Sequence, residues 1–526
     1  MSSTDLGSNR PVSIDGSPLT VDMLVAAARG RQPVEVAAGA RDRMQPAREA
    51  VERLRDSDAP VYGVTTGFGA LADTAIAATD RVTLQRAIVM SHAAGMGPPV
   101  DDEVVRGMML LRARSLAAGY SGVRAELVDA IVALLNSGIR PYVPEHGSLG
   151  ASGDLAPLAH AAACLLGEGW VVAEDGSPAP AGPALAAAGL AVAHLEPKEG
   201  LALVNGTDGM AAVMALAVHD LGSLVSAVDA AAAMSIEALL GTPAVFDEEL
   251  VALRPAPGQA ASAANIRALL AGSPIVDSHR QSHHAVQDAY SLRCAPQVHG
   301  AARDVVDFAR QTVERELAAV VDNPVVLAGS DRVLSSGNFH GQALAYAADM
   351  CASVCADLAA ISERRVDRLL DPARSRGLPA FLTADPGVNS GLMIAQYTAA
   401  AMVSSLRAAA TPIAVQSMST SAGQEDHVSM GWTAALRTRR SVADLCRVIA
   451  VEVTCAAQAL DLREDLDPGA GLRAAAGTGA MRASLRRHVA HLDADRFLAP
   501  DLASAAAWLA AGGWRDDVLR AVGALS

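Results

Sequence analysis

The stretch 146-HGSLGASGDLAPLAH-160 places three glycines, Gly147, Gly150 and Gly153, within seven residues. Ser152 stands between Ala151 and Gly153, and after Gly150 no proline or large side chain occurs before Leu155. Glycine has no Cβ, so the Gly153 nitrogen can come close to the carbonyl two residues back. Such crowding would let that nitrogen attack the Ala151 carbonyl and close a five-membered ring. Loss of water from the ring and from Ser152 would leave an exocyclic methylene conjugated to an imidazolone, an electrophile made from the chain alone. The alternative is a tight turn followed by a helix N-cap at Ser152 or Asp154. Three residues do not decide between the two.

The surrounding composition favours helix. The chain has 526 residues, 51% of them hydrophobic but only 3% aromatic, and alanine and leucine dominate. That is enough for a large core and for more than one domain. The formal net charge of −15, with no long basic run, argues against a nucleic-acid or anionic-membrane partner. MSSTDLGSNRPVSIDG at the start has no apolar core, so no signal peptide is expected. The longest apolar stretch, residues 210–240, is broken by His219, Asp220 and Asp229 and reads as buried core helix, not as a membrane span. A cytoplasmic location is expected. The six cysteines, Cys164, Cys294, Cys351, Cys355, Cys446 and Cys455, read as buried free thiols.

Residues 20–57 read as helical, with a turn near Gly30 to Pro33. A glycine-punctuated loop, 59-APVYGVTTGFGALAD-73, follows. Helical periodicity returns over 78–96 and 101–137, and 139–154 is a second loop. A hairpin is expected over 169–182 around Asp175-Gly176. From 208 onward the chain reads as long apolar helices broken at 254–259, 322–326, 371–382 and 384–391. The expected fold is mainly α, with an N-terminal domain over 1–205 carrying the ring-forming loop and an elongated helical bundle over 206–526.

Several chemistries lack their motifs. There is no G-x-x-x-x-G-K-[ST], no G-x-S-x-G and no H-E-x-x-H. His279 and His283, spaced i, i+4, could chelate a metal, but no third ligand is evident and a solvated face is the better reading. The glycines of 147–153 could cradle a phosphate, yet no lysine follows and Asp154 would repel the anion.

Six separated segments then change the balance: 62-YGVTTGFG-69, 84-LQRAIVMSHAAGMG-97, 147-GSLGASGDLAPL-158, 198-KEGLALVNGTDG-209, 286-VQDAYSLRCAPQ-297 with 337-GNFHG-341, and 420-TSAGQEDHVSMG-431. Together and in this order they resemble the histidine and aromatic amino-acid ammonia-lyase family. The resemblance runs from the first loop to about residue 440. It implies a 4-methylideneimidazole-5-one prosthetic group formed from Ala151, Ser152 and Gly153, with no metal or nucleotide. It also implies a homotetramer whose active sites combine residues of more than one subunit. Ser91-His92 and Gln424-Glu425-Asp426-His427 match the histidine branch, which implies conversion of L-histidine to trans-urocanate and ammonia. A tyrosine or phenylalanine lyase, or a 2,3-aminomutase, is the alternative. Ala256, where histidine is common, and Gly423, where a larger residue is usual, depart from the pattern.

The resemblance also implies roles. Tyr62 is the base, with Tyr290 and Glu425 also catalytic. A phenol near its ordinary pKa of about 10 is mostly protonated at pH 7, so neighbours must lower it or an alkaline optimum follows. Arg293 presents a planar fork for a carboxylate; an ion pair would explain it otherwise. Tyr290 and Gln287 lie three and six residues earlier, on one face if this segment is helical. Asn205 can donate to the ring carbonyl, though an isolated Asn-Gly would be a turn or cap. Phe339 packs against the prosthetic group. Ser91, His92 and Glu425 bind substrate, Glu425 accepting from an imidazole N–H and His92 pairing with the other nitrogen.

Overall fold

The computed structural model describes residues 10–55, 61–63, 65–67, 69–71, 73–281, 286–330, 332–466 and 468–526. The fold is mainly α, as expected: twenty α-helices and four two-stranded sheets occur among the described residues. Gln342–Leu370 and Gly431–Asp465 have the length expected of bundle helices. So do Asp208–Ala238 and Ala295–Ala318. By length and composition Asp208–Ala238 and Gln342–Leu370 are apolar enough to cross a membrane, but 78% of the most apolar stretch of the first is buried within the protein. It is a core helix.

The chain forms two compact units, each drawn from three segments. The first takes Met1–His219, Ala309–Asp349 and Pro412–Leu436; the second takes Asp220–Phe308, Met350–Thr411 and Arg437–Ser526.

In the first unit the helical run expected over 101–137 is two helices, Asp102–Ala117 and Ala125–Ser137. Gly119 and Gly122 break it with φ of +82° and +70°, and a Cβ on Gly122 would collide with Val51. Two short elements were not foreseen. Val12–Ile14 pairs in parallel with Val34–Val36, and Met96–Pro99 pairs with Pro144–His146. The second pairing ties the chain just beyond helix Arg81–His92 to the strand that opens the glycine-rich loop at 147–153. The expected hairpin is present as Trp170–Val172 against Pro178–Pro180, and Asp175 accepts from the Ser177 amide at its tip.

In the second unit a buried charge network lies among apolar helices. Arg365 and Glu452 are both fully buried and meet through two bonds of 2.5 and 2.8 Å. Ser235 and Ser362 donate to the same carboxylate. Nearby, Asp229 accepts from His299 at 2.8 Å and from Arg303 at 2.6 Å. Burying such charges is tolerable only because every oxygen has a partner. All six cysteines are free and all but Cys294 are buried. Burial pushes the Cys164 and Cys351 thiols up to about 12 and Cys446 to about 11.

Arg365→Met would strand the Glu452 carboxylate and should cost about 3–5 kcal/mol. Arg365→Met with Glu452→Gln should cost less than the single change. The denaturant midpoints of both variants, read against the wild type, check this.

Candidate active site

The loop 145–154 is held by Gly206, by segment 429–432 and by its own Ser148. Gly150 and Gly153 have φ of +68° and +73°. A Cβ on Gly150 would collide with the Ser429 hydroxyl, and one on Gly153 with the Gly206 carbonyl. Both positions therefore need glycine for conformation and for space. Asp154 N donates to Gly206 O at 2.7 Å, and Ser148 Oγ reaches Gly153 O at 3.3 Å. On the opposite side Met430 N donates to Leu149 O at 2.8 Å, Ser429 Oγ to Gly150 O at 3.0 Å and Trp432 Nε1 to Glu145 O at 2.7 Å.

The helix start expected at Ser152 or Asp154 falls at Asp154, the cap position of helix Leu155–Leu165, but without the expected side-chain cap. The Asp154 carboxyl instead accepts from Met210 N at 2.8 Å and from Ser148 Oγ at 3.2 Å. It is completely buried, and that burial raises its pKa to about 7.

Asn205 ends helix Glu199–Val204 and is buried. Arg112 Nη1 holds its carbonyl at 2.8 Å. Its Nδ2 donates to Asn323 O at 2.9 Å, while its Oδ1 is buried without a hydrogen-bond partner among the described residues. One amide hydrogen and the amide oxygen are left for something else. Phe339 is half-buried in the 337–340 turn. The next residue, His340, stacks on His427 with ring centroids 5.9 Å apart.

Tyr62, His92 and Glu425 come together. The Gly69 N–H donates to the Tyr62 hydroxyl at 3.0 Å. Burial pushes the Tyr62 phenol above its ordinary 10.0; the Gly69 bond pulls it down, and the Glu425 charge raises it again. The lowering of the Tyr62 pKa that the sequence called for is not found.

His92 closes helix Arg81–His92, with Nδ1 2.8 Å from Ile88 O. A carbonyl only accepts, so Nδ1 carries the proton and Nε2 of the neutral ring is a bare acceptor. Burial lowers the His92 pKa, opposed by the Ile88 carbonyl and Glu425. Ser91 is exposed and its hydroxyl bonds back to Ile88 O at 3.2 Å.

Glu425 sits on a tight turn closed by Thr420 N to Glu425 O at 2.9 Å. Its Oε2 is buried with no hydrogen-bond partner among the described residues. Gly423 within that turn has φ of +90°, so glycine suits the backbone there and the departure from the usual residue is absorbed locally. Ala256 is the cap of helix Pro257–Leu270 and makes no side-chain capping bond.

Gln287, Tyr290 and Arg293 belong to the second unit. The helix there covers only Tyr290–Arg293, so Gln287 precedes it and the expected single helical face does not extend that far. Arg293 lies over the Tyr290 ring, 4.5 Å from its centroid. Tyr290 is 71% exposed, whereas Arg293 Nε is buried with no hydrogen-bond partner among the described residues. Arg293, Gln259 and Gln297 line a cavity of about 260 Å³. His283 lies outside the described residues. His279 bonds through Nδ1 to Ile275 O at 2.9 Å, and no group of three metal-binding side chains occurs among the described residues.

Sequence reasoning missed Ser148, Arg112 and Ser429. Arg112 and Ser429 act on backbone far away in the chain, while Ser148 acts within its own loop; Ser148 and Ser429 fall inside quoted motifs, the available hint.

A sequence model described as aromatic amino acid lyase matches residues 19–487. The chain belongs to the aromatic amino acid lyase family. Among similar lyases, the histidine ammonia-lyase of Streptomyces griseus is 52% identical over 495 residues, which are 94% of this chain and 95% of that one. That of Streptomyces avermitilis is 50% identical over 501 residues, 95% and 97% of the two chains. Among solved structures, the histidine ammonia-lyase of Trypanosoma cruzi superposes with a TM-score of 0.88 at 37% identity, over 98% of this chain and 96% of the other. A tyrosine aminomutase from Streptomyces globisporus gives 0.90 at 36%, over 98% and 99%.

Asp154 gives a pH test of the lyase loop. Its folded pKa of about 7 lies above the ordinary 3.8, so its contribution to stability is full below pH 3.8 and is lost as pH rises through about 7. Asp154→Asn should flatten that part of the stability–pH curve, measured by denaturation at a series of pH values.

Proposed function

We propose that this chain is a carbon–nitrogen lyase that converts L-histidine to trans-urocanate and ammonia. The observation that carries this reading is the buried, unpartnered carboxylate oxygen of Glu425, close enough for its charge to bear on both Tyr62 and a neutral His92. A polar pocket of this kind suits an imidazole and penalises a benzene ring.

The loop residues fit the prosthetic group that the family resemblance implies. Gly153 has no room for a side chain, and buried Asn205 keeps an amide hydrogen and an oxygen unused. The 4-methylideneimidazole-5-one formed from Ala151, Ser152 and Gly153 supplies the electrophile that turns the substrate amine into a leaving group. Asn205 and Phe339 would support it. Tyr62 takes the β-proton as the general base. Because burial raises its pKa, the ionised phenol gains population through the alkaline range, and turnover should rise with pH there. Arg293 anchors the substrate carboxylate, with Tyr290 and Gln287 orienting substrate and base. In the proposed assembly, a homotetramer, each active site combines residues of more than one subunit. Substrate is a small amino acid, the location is cytoplasmic, and neither metal nor nucleotide takes part.

The His92 tautomer sharpens the specificity. With Nδ1–H given to Ile88 O, neutral His92 accepts and does not donate, as does Glu425. An imidazole ring protonated on both nitrogens satisfies both residues, and a neutral one satisfies either. Phenylalanine satisfies neither, and tyrosine offers one O–H. Each buried group left unpaired costs roughly 1–3 kcal/mol. Two disfavour phenylalanine by about two to four powers of ten, at 1.4 kcal/mol per tenfold.

Purified protein should release urocanate from histidine, seen by absorbance, faster than it deaminates tyrosine or phenylalanine. His92→Leu with Glu425→Gln should depress histidine turnover far more than that of the other two. Preference of the wild type for tyrosine or phenylalanine ends the histidine assignment, and a β-amino acid product on chromatography makes the protein an aminomutase.

Tyr62→Phe removes only the hydroxyl. It should lower kcat with little change in KM, because the lost interaction belongs to the transition state. A near-normal kcat moves the base to Tyr290.

A further inference from the structure

We propose that Ser429 is a positioning residue for closure of the Ala151-Ser152-Gly153 ring. The inference rests on the proposed function and concerns how the chain makes its own electrophile.

Ring closure needs no co-reactant. The Gly153 nitrogen bonds to the Ala151 carbonyl carbon and passes its proton to the carbonyl oxygen. That oxygen leaves as water with the Ser152 amide proton, giving a C=N bond. The Ser152 hydroxyl leaves as a second water with the Cα proton, giving the methylene. The obstacle is geometric, because an amide nitrogen is a weak nucleophile and must be held against a carbonyl it would ordinarily avoid. Holding two groups together in this way is a large source of rate.

The two ends of the tripeptide are fixed by different parts of the chain. Gly153 is fixed by Gly206 and Ser148. The peptide plane entering Ala151 is fixed by one side chain, Ser429. Its hydroxyl donates to Gly150 O at 3.0 Å and accepts from Gly431 N at 3.1 Å. Ser429 is completely buried, so water is not at hand to replace that bond. Met430 beside it has φ of +56° and donates to Leu149 O at 2.8 Å. A methionine in the left-handed region is costly, and such conformations persist where surrounding contacts over-determine them. Segment 429–431 is therefore a stiff clamp on the loop's entry side. Without the Ser429 bond, the Gly150–Ala151 peptide can rotate and the loop can relax away from closure.

The test follows the mass of the loop peptide in time after cell-free synthesis of the full chain, a readout independent of turnover. The wild-type peptide should become two waters lighter. Ser429→Ala should make that loss about tenfold slower, as expected for one lost buried hydrogen bond at about 1.4 kcal/mol per tenfold. The matured fraction should keep the wild-type KM for histidine. Ser417→Ala, which removes the neighbouring bond to Val428 N and leaves Ser429 on Gly150, should mature at the wild-type rate. Maturation of Ser429→Ala at the wild-type rate overturns the proposal, as does equal slowing in Ser417→Ala. If Ser429→Ala does not fold, Ser429→Cys, similar in shape and a poor donor, takes its place, and a wild-type rate there also overturns it. A wild-type peptide that never loses water would instead remove the prosthetic group on which the proposal stands.

Discussion

The close approach of Gly153 to the Gly206 carbonyl is the constraint on which the rest of the site depends. It brings the start of helix Leu155–Leu165 against the turn before Asp208, segments more than fifty residues apart in sequence. No side chain can stand at Gly153 while that approach holds. Asp154 continues the seam by accepting from Met210 N. The loop is thus a backbone junction first, and the small residues in it answer a packing demand before any chemical one.

The same economy governs the polar groups nearby. Tyr62, His92 and Glu425 are partly or largely withdrawn from water, and each pays in altered acid strength or in a lone pair without a partner. A protein retains such groups where a ligand completes them. The clamp at Ser429–Trp432 begins four residues beyond Glu425, so one short segment carries the unpartnered carboxylate oxygen and also holds the loop. Substitutions on one side of that segment will be felt on the other.

Much of this was legible in the sequence. Alanine-rich periodicity gives the helices, Asp175-Gly176 gives the hairpin, and the six motifs give the family. What escaped falls into two physical classes. Helix breaks at Gly119 and Gly122 depend on what packs against them, here Val51, which no local window reports. Partners such as Arg112 on Asn205 O, or Ser429 on Gly150 O, join residues 93 and 279 positions apart. Their side chains bond to backbone, which leaves no pattern of complementary residue types. The His92 tautomer, set by the Ile88 carbonyl, and the raised pKa of Tyr62, set by burial and the Glu425 charge, likewise have no local sequence signal. The return of segments 309–349 and 412–436 to the first unit is a property of topology and not of composition.

The cysteines bear on a matter of chemical self-compatibility. If the proposed electrophile forms from the backbone, it is exposed to attack by the protein's own sulfur. Thiolates, not thiols, are the nucleophiles. With Cys164 and Cys351 held near 12, only about one such group in a hundred thousand is ionised at neutral pH. Cys355 and Cys455 are pushed up as well, each by burial. The apolar core therefore acts as a chemical quarantine, keeping sulfur inert beside the proposed Michael acceptor, and Cys294 alone stands partly outside it.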